Sequence, residues 1–137
     1  MDVRDETSLL DVCFLIALLV MMTAAQFFAD SAKPLFMWSR TLIASGEVWR
    51  LVSGNIVHIS WPHLLLNLLG YALLAAIFGF RAAIRRCAMV VPLLAALVGI
   101  ELYFLADHIR WYVGFSGVLV GLFVYVAITN IAAMRLQ

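Results

Sequence analysis

Four apolar stretches of membrane-crossing length constrain this chain more than any other feature: about Leu9–Ala29, His58–Phe80, Cys87–Ala106 and Tyr112–Met134. A helix needs roughly 20 mostly apolar residues to cross the hydrocarbon of a bilayer, and each stretch meets that length. Together they fill most of a chain of 137 residues that is 66% hydrophobic and only 12% charged. A soluble domain of this size leaves too much surface in water to hide so much apolar side chain. Lipid is therefore the solvent for most of the chain, and the expected fold class is all-α, a polytopic membrane helix bundle in one domain over residues 1–137.

Charge sets direction and excludes one class of partner. The segment "FRAAIRRC" puts Arg81, Arg85 and Arg86 in the short connection between the second and third stretches, and such density marks a cytoplasmic loop. Arg4 and Arg135 then share that side, with Lys33, Arg40, Arg50 and Arg110 opposite and both chain ends cytoplasmic. The first residues, "MDVRDETSLLD", are acidic where a secretory leader would be basic, so the first stretch reads as a retained span. A net charge of +1 carries no footprint for nucleic acid. Cys13 and Cys87 fall in or beside apolar runs, form no metal-ligand pattern and read as buried free thiols. The loop over residues 30–57 is long, and Trp38 and Trp49 suit it to the headgroup level.

The informative residues are the polar ones that lipid disfavours. "HISWPHLLLN" places His63 and Asn67 four apart, on one helix face one turn from each other, with His58 nearer the membrane surface. "WYVGFSGVLVG" places Ser116 between Gly114 and Gly117 at the head of the fourth stretch. The topology brings both segments to the outer end of the bundle at similar depth. Intramembrane polar side chains are costly and face a bundle interior or a wet cavity. Taken singly, a Ser bonds back to a helix carbonyl, and a His/Asn pair is interhelical glue. Taken together, a hydroxyl, an amide and an imidazole suit acyl transfer, with the serine attacking a carbonyl and the other groups holding the oxyanion.

"GEVWR", then "HISWPHLLLN", then "GFSG" resemble, in order, the motifs of the rhomboid intramembrane serine proteases: a Trp-Arg pair in the first outer loop, H-x4-H-x3-N in the second span and G-x-S-G in the fourth. The resemblance covers roughly residues 46–126, and "WYVGFSGVL" is most similar to the rhombosortase subgroup, which is associated with proteins carrying a C-terminal Gly-Gly sorting signal. It implies four spans of a six-helix fold, Ser116 as nucleophile, and His63, Asn67 and the Ser116 backbone as the oxyanion site. His58, Trp49 and Arg50 would support the outer loop, while Gly114 and Gly117 would shape the serine turn. It further implies a transmembrane protein substrate, no cofactor or metal, and a multi-pass protein of a bacterial inner membrane.

The family's general base comes from a sixth span, and no residue up to Gln137 matches it. The expectation for the chain as read is therefore a protein that binds a helix without cutting it efficiently, with His108 the only substitute base in view. Two readings stay open: a serine endopeptidase read incompletely, and a rhomboid-like protein that binds client helices without cutting. Pro92 is expected to kink the third span, Glu101 to snorkel or pair with an outer Arg or His, and Gly117 and Gly121 to offer a close-packing face, open to self-association.

Overall fold

The computed structural model describes residues 8–135, so Arg4, most of the acidic start and Gln137 lie outside the described residues. The chain is an all-α bundle. Helix α1 is Leu9–Phe27, followed by α2 (Ala29–Phe36), β1 (Trp38–Ser39), α3 (Arg40–Ala44) and α4 (Arg50–Ser53). Then come α5 (Trp61–Phe78), α6 (Phe80–Ile84), α7 (Cys87–Leu105), β2 (Trp111–Tyr112) and α8 (Ser116–Met134). Helices α1, α5 and α7 are each long and apolar enough to cross a membrane. Helix α8 has 19 residues, as α1 and α7 do. Leu15, Met22, Leu64, Leu74, Val91, Ala95, Val118 and Leu122 form the core between them. Leu66, Leu69, Met89, Leu93, Val120 and Val124 cover the outside. Helices apolar on every face are bundle elements of a protein whose surroundings are hydrocarbon.

The long helices begin where local chemistry supplies the missing partners of a first turn. Ser8 accepts the Asp11 N–H at 3.1 Å at the head of α1. Asp11 in turn accepts the Arg86 and Ala88 N–H groups at 3.2 and 3.0 Å, so a carboxylate from α1 caps α7. Ser60 accepts the His63 N–H at 3.4 Å at the head of α5, with Pro62 in its first turn. The second span thus starts at Trp61, and His58 belongs to the approach to it. Helix α7 runs through Pro92 as one continuous element. The fourth span starts at Ser116, because Tyr112 lies in a strand and Gly114 adopts φ +117°, a value only glycine takes without strain.

Residues 30–57 form an ordered cap. The Arg50 guanidinium is 4% exposed. It donates to the Met37 and Pro34 carbonyls at 2.8 Å each and to Glu47 Oε2 at 2.7 Å. Arg40 closes the end of α7, donating to the carbonyls of Leu102, Tyr103 and Ala106 at 2.6 to 2.7 Å and of Ile109 at 3.0 Å. A cation there complements both the orphan carbonyls and the helix dipole. Helix α4 lies across α7 at Gly99, where a Cβ would run into the Leu51 backbone.

Several expectations are corrected. Trp38 is fully buried and donates to the Gly99 carbonyl at 3.1 Å, so it is a core residue of the cap and no interfacial anchor. Cys87 is buried, whereas Cys13 is exposed on α1. Gly117 and Gly121 lie against Val98 and Leu94 of α7. The close approach these glycines permit is used within the chain, between α7 and α8.

Candidate active site

Two short connections dock the cap onto the segment that precedes Ser116. Strands β1 and β2 pair antiparallel, with Trp38 opposite Tyr112 and Ser39 opposite Trp111. Gly114 N–H donates to the Gly54 carbonyl at 3.0 Å. Gly54 itself packs so tightly on Trp38 that a Cβ would fall 2.6 Å from the Trp38 Cβ. The cap therefore fixes where the chain turns into α8.

The head of α5 meets the same turn. A Cβ on Gly114 would lie 2.5 Å from His63 Cε1 and 2.9 Å from its Nε2, so the imidazole packs directly on the glycine backbone. Gly114 is required twice, by its φ and by this contact. His58 is 1% exposed, with its ring 5.2 Å from that of His63, edge to face. Its Nδ1 lies 3.1 Å from the Ile56 carbonyl, which can only accept, so Nδ1 carries the proton. Its Nε2 is then free to accept the Phe115 N–H at 3.4 Å. Burial first, and the neighbouring His63 charge second, hold the His58 pKa down at about 4 against the pull of the Ile56 carbonyl. Neutral His58 is the form that this pair of bonds requires.

Asn67 is buried one turn below, and its Nδ2 donates to the His63 carbonyl at 3.0 Å. His63 Nδ1 is buried with no hydrogen-bond partner. Ser116 stands at the first position of α8, where its N–H has no partner among the described residues. Its Oγ lies 3.4 Å from the hydroxyl of Tyr112 and makes no bond to His63 or Asn67. Ser116 opens onto a cavity of about 420 Å³, lined also by Tyr112, Gly117, Val98 and Glu101. Glu101 is exposed and has no ion-pair partner among the described residues, as the snorkelling alternative has it and the pairing alternative does not. His108 is 76% exposed beside Asp107 and makes no bond to Ser116. No cluster of metal-ligating side chains occurs among the described residues.

Of the residues that the sequence singled out, His63 packs on Gly114 and His58 accepts from the N–H of Phe115, the residue next to Ser116, while Ser116 Oγ bonds to neither imidazole. Trp49 and Arg50 sit in the cap, their side chains tied to residues 34–37, with Trp49 Nε1 donating to the Leu35 carbonyl at 3.4 Å. Tyr112 and Arg40 were missed. A tyrosine beside a Gly-Ser-Gly turn in an apolar run is the signal that could have found the first, since a buried phenol seeks a partner for its hydroxyl.

The family model for the rhomboid domain matches residues 45–136. The chain belongs to the rhomboid family. No curated protein and no solved structure matches this rhomboid chain. Rhomboid proteins are in general intramembrane serine peptidases acting on transmembrane substrates, and the apolar helices make this one an integral membrane protein. The matched region begins in the cap and includes His58, His63, Asn67 and Ser116.

Proposed function

We propose that this rhomboid protein is an intramembrane serine endopeptidase that cleaves membrane-anchored proteins near the outer face of a bacterial inner membrane, with both chain ends cytoplasmic. The observation that carries this reading is the packing of His63 on Gly114, which brings a polar group of the second span against the turn that presents Ser116. Ser116 Oγ attacks the scissile carbonyl, the C–N bond breaks, and the amine leaves carrying the proton that the base took from Ser116. Water then hydrolyses the acyl-enzyme to release the acid and restore the hydroxyl. The oxyanion is held by the unbonded Ser116 N–H, by the His63 ring and by the remaining amide proton of Asn67. Donors aimed in advance at developing charge contribute about 3 kcal/mol each to such reactions. Gly114 and Gly117 shape the turn, and His58, Trp49 and Arg50 hold the cap and the approach to α5.

The proton of Ser116 must go to a base, and no imidazole or carboxylate bonds to Ser116 among the described residues. We place that base outside residues 8–135. The resemblance of "WYVGFSGVL" to rhombosortases further suggests substrates with a C-terminal Gly-Gly sorting signal. A second reading, a non-catalytic binder of transmembrane helices, draws on the observation that Tyr112 is the sole hydrogen-bond partner of Ser116 Oγ among the described residues. Self-association through Gly117 and Gly121 is not proposed, since their close-packing contacts are taken up by Val98 and Leu94 of α7.

The decisive experiment reconstitutes the chain in bilayers with a model transmembrane substrate, with and without two further apolar helices carrying a histidine. Serine-dependent cleavage, or labelling by a fluorophosphonate, is expected in the supplemented protein and absent from Ser116→Ala. Robust cleavage by the chain alone would place the base within it. Absence of cleavage and labelling in both forms, with substrate still bound, would establish the binder.

A further inference from the structure

The hydroxyl of Tyr112 sits at the centre of the turn that presents Ser116. It lies 2.8 Å from the Gly114 carbonyl, 3.3 Å from Gly117 N and 3.4 Å from Ser116 Oγ. A phenol has one proton to give, and a carbonyl can only accept, so that proton goes to Gly114. The Gly117 N–H can only donate, and it donates to the phenol oxygen. The Ser116 hydroxyl must then donate to that oxygen too, which leaves its lone pairs free of any contact with the phenol.

Two further consequences follow from this geometry. The Gly114 carbonyl and the Phe115 N–H belong to one peptide unit, and His58 Nε2 accepts the Phe115 N–H at 3.4 Å. Tyr112 on one edge and His58 on the other therefore clamp the Gly114–Phe115 peptide plane, one residue ahead of Ser116, at a glycine that would otherwise allow it to rotate. The first turn of a helix also leaves several N–H groups without partners. Tyr112 occupies that of Gly117, while that of Ser116 stays open.

We propose that Tyr112 is a positioning residue of the site: it sets the rotamer of the Ser116 hydroxyl and leaves the Ser116 N–H, in place of that of Gly117, as the open backbone donor. The catalytic half of this inference rests on the proposed peptidase reading, and the structural half does not. Tyr112 is no base, because a neutral phenol whose proton is committed to a carbonyl has no means of holding a second one.

The test compares the wild-type chain, Tyr112→Phe, and the chain with difluorotyrosine at position 112, all reconstituted in bilayer discs. Amide exchange read by nuclear magnetic resonance is expected to speed up at Gly117 by about tenfold in Tyr112→Phe, the effect of one hydrogen bond, and to stay unchanged at Ser116. Fluorophosphonate labelling of Ser116, in the form of the protein that labels, is expected to fall by a similar factor. Difluorotyrosine should keep Gly117 protected and move the alkaline limb of the labelling profile to lower pH, because its phenol ionises more readily. A ring that merely fills space would move neither. Unchanged Gly117 exchange in Tyr112→Phe overturns the proposal. Should that variant fail to fold, an unshifted profile with difluorotyrosine overturns it instead. Should the wild type not label even when supplemented with the two further helices, the peptidase reading fails, and Gly117 exchange still decides the role of Tyr112.

Discussion

The cap over residues 30–57 and the serine turn over 111–117 touch each other, yet they use polar groups in opposite ways. In the cap, Arg50 and Arg40 spend their N–H groups on carbonyls and a carboxylate. At the turn, His63 Nδ1 has no partner and the Ser116 N–H is open. Buried polar atoms are nearly always satisfied, and leaving one bare costs about 1–3 kcal/mol. An unspent donor and an unpartnered ring nitrogen that meet at one turn are thus a concentrated expense, set beside a cap in which Asn55 Oδ1 is the one buried polar side-chain atom without a partner among the described residues. Strain and unsatisfied groups gather at functional sites when the surroundings over-determine the fold. The comparison teaches which part of the protein is scaffold and which is reserved for a ligand.

The largest expected effect breaks the scaffold. Arg50→Ala removes a buried guanidinium and leaves the Met37 and Pro34 carbonyls and the Glu47 carboxylate without their donor. Breaking one partner out of a buried charged network costs about 3–5 kcal/mol. Thermal unfolding in detergent should show that loss. Proteolysis within residues 30–57 should also become faster, because the Ser53 hydroxyl on the Phe36 carbonyl at 2.8 Å is then the strongest side-chain tie left from α4 to residues 34–37. A variant as stable as the wild type would mean that the β1–β2 pairing alone holds the cap.

The bundle was largely legible in the sequence because hydrocarbon imposes a length and a composition that few other constraints produce. His63, Asn67 and Ser116 were legible for the converse reason, being polar where lipid penalises polarity. What stayed hidden was decided by backbone geometry. Tyr112 read as the first residue of an apolar helix, since nothing in residue spacing reveals that Gly114 turns to φ +117° and delays the helix to Ser116. Arg40 read as a loop charge, because its partners are carbonyls 62 to 69 positions away and carbonyls are the same in every residue. Trp38 looked like an interfacial anchor on its residue type, and only the tight contact with Gly54 and the bond to Gly99 make it core.

The next effect reaches the turn through protons. His58 is neutral in the fold, and its pKa of about 4 lies below the ordinary 6.5 of an imidazole. The unfolded chain therefore binds more protons than the folded one between those values, and stability rises with pH across that window. Its full contribution is present above about pH 6.5. It declines as pH falls toward 4, by roughly 3 kcal/mol in all at about 1.4 kcal/mol per unit. Unfolding followed from pH 7 to pH 4 should show this slope in the wild type and a much shallower one in His58→Asn. The Phe115 amide should lose protection over the same range, as a protonated Nε2 can no longer accept. An identical slope in both proteins would assign the acid sensitivity to another group.

The smallest effect separates two accounts of the cap. Trp49 is 52% exposed, and its indole N–H reaches the Leu35 carbonyl only at 3.4 Å, near the limit of a useful hydrogen bond. If the cap is held from within by cations on carbonyls, Trp49→Ala should cost under about 1 kcal/mol, the net worth of one weak bond. Its neighbour Arg50, one position on, should cost several times that. If the cap is instead held from outside by an aromatic ring seated among headgroups, the order changes with the surroundings. Trp49→Ala would then be nearly silent in detergent but costly in a bilayer, because amphipathic indole prefers the membrane interface. Measuring both variants in both media distinguishes the two accounts. Equal, small losses for Trp49→Ala in detergent and bilayer would leave the guanidinium of Arg50 as the anchor of the cap, and with it the position of the serine turn.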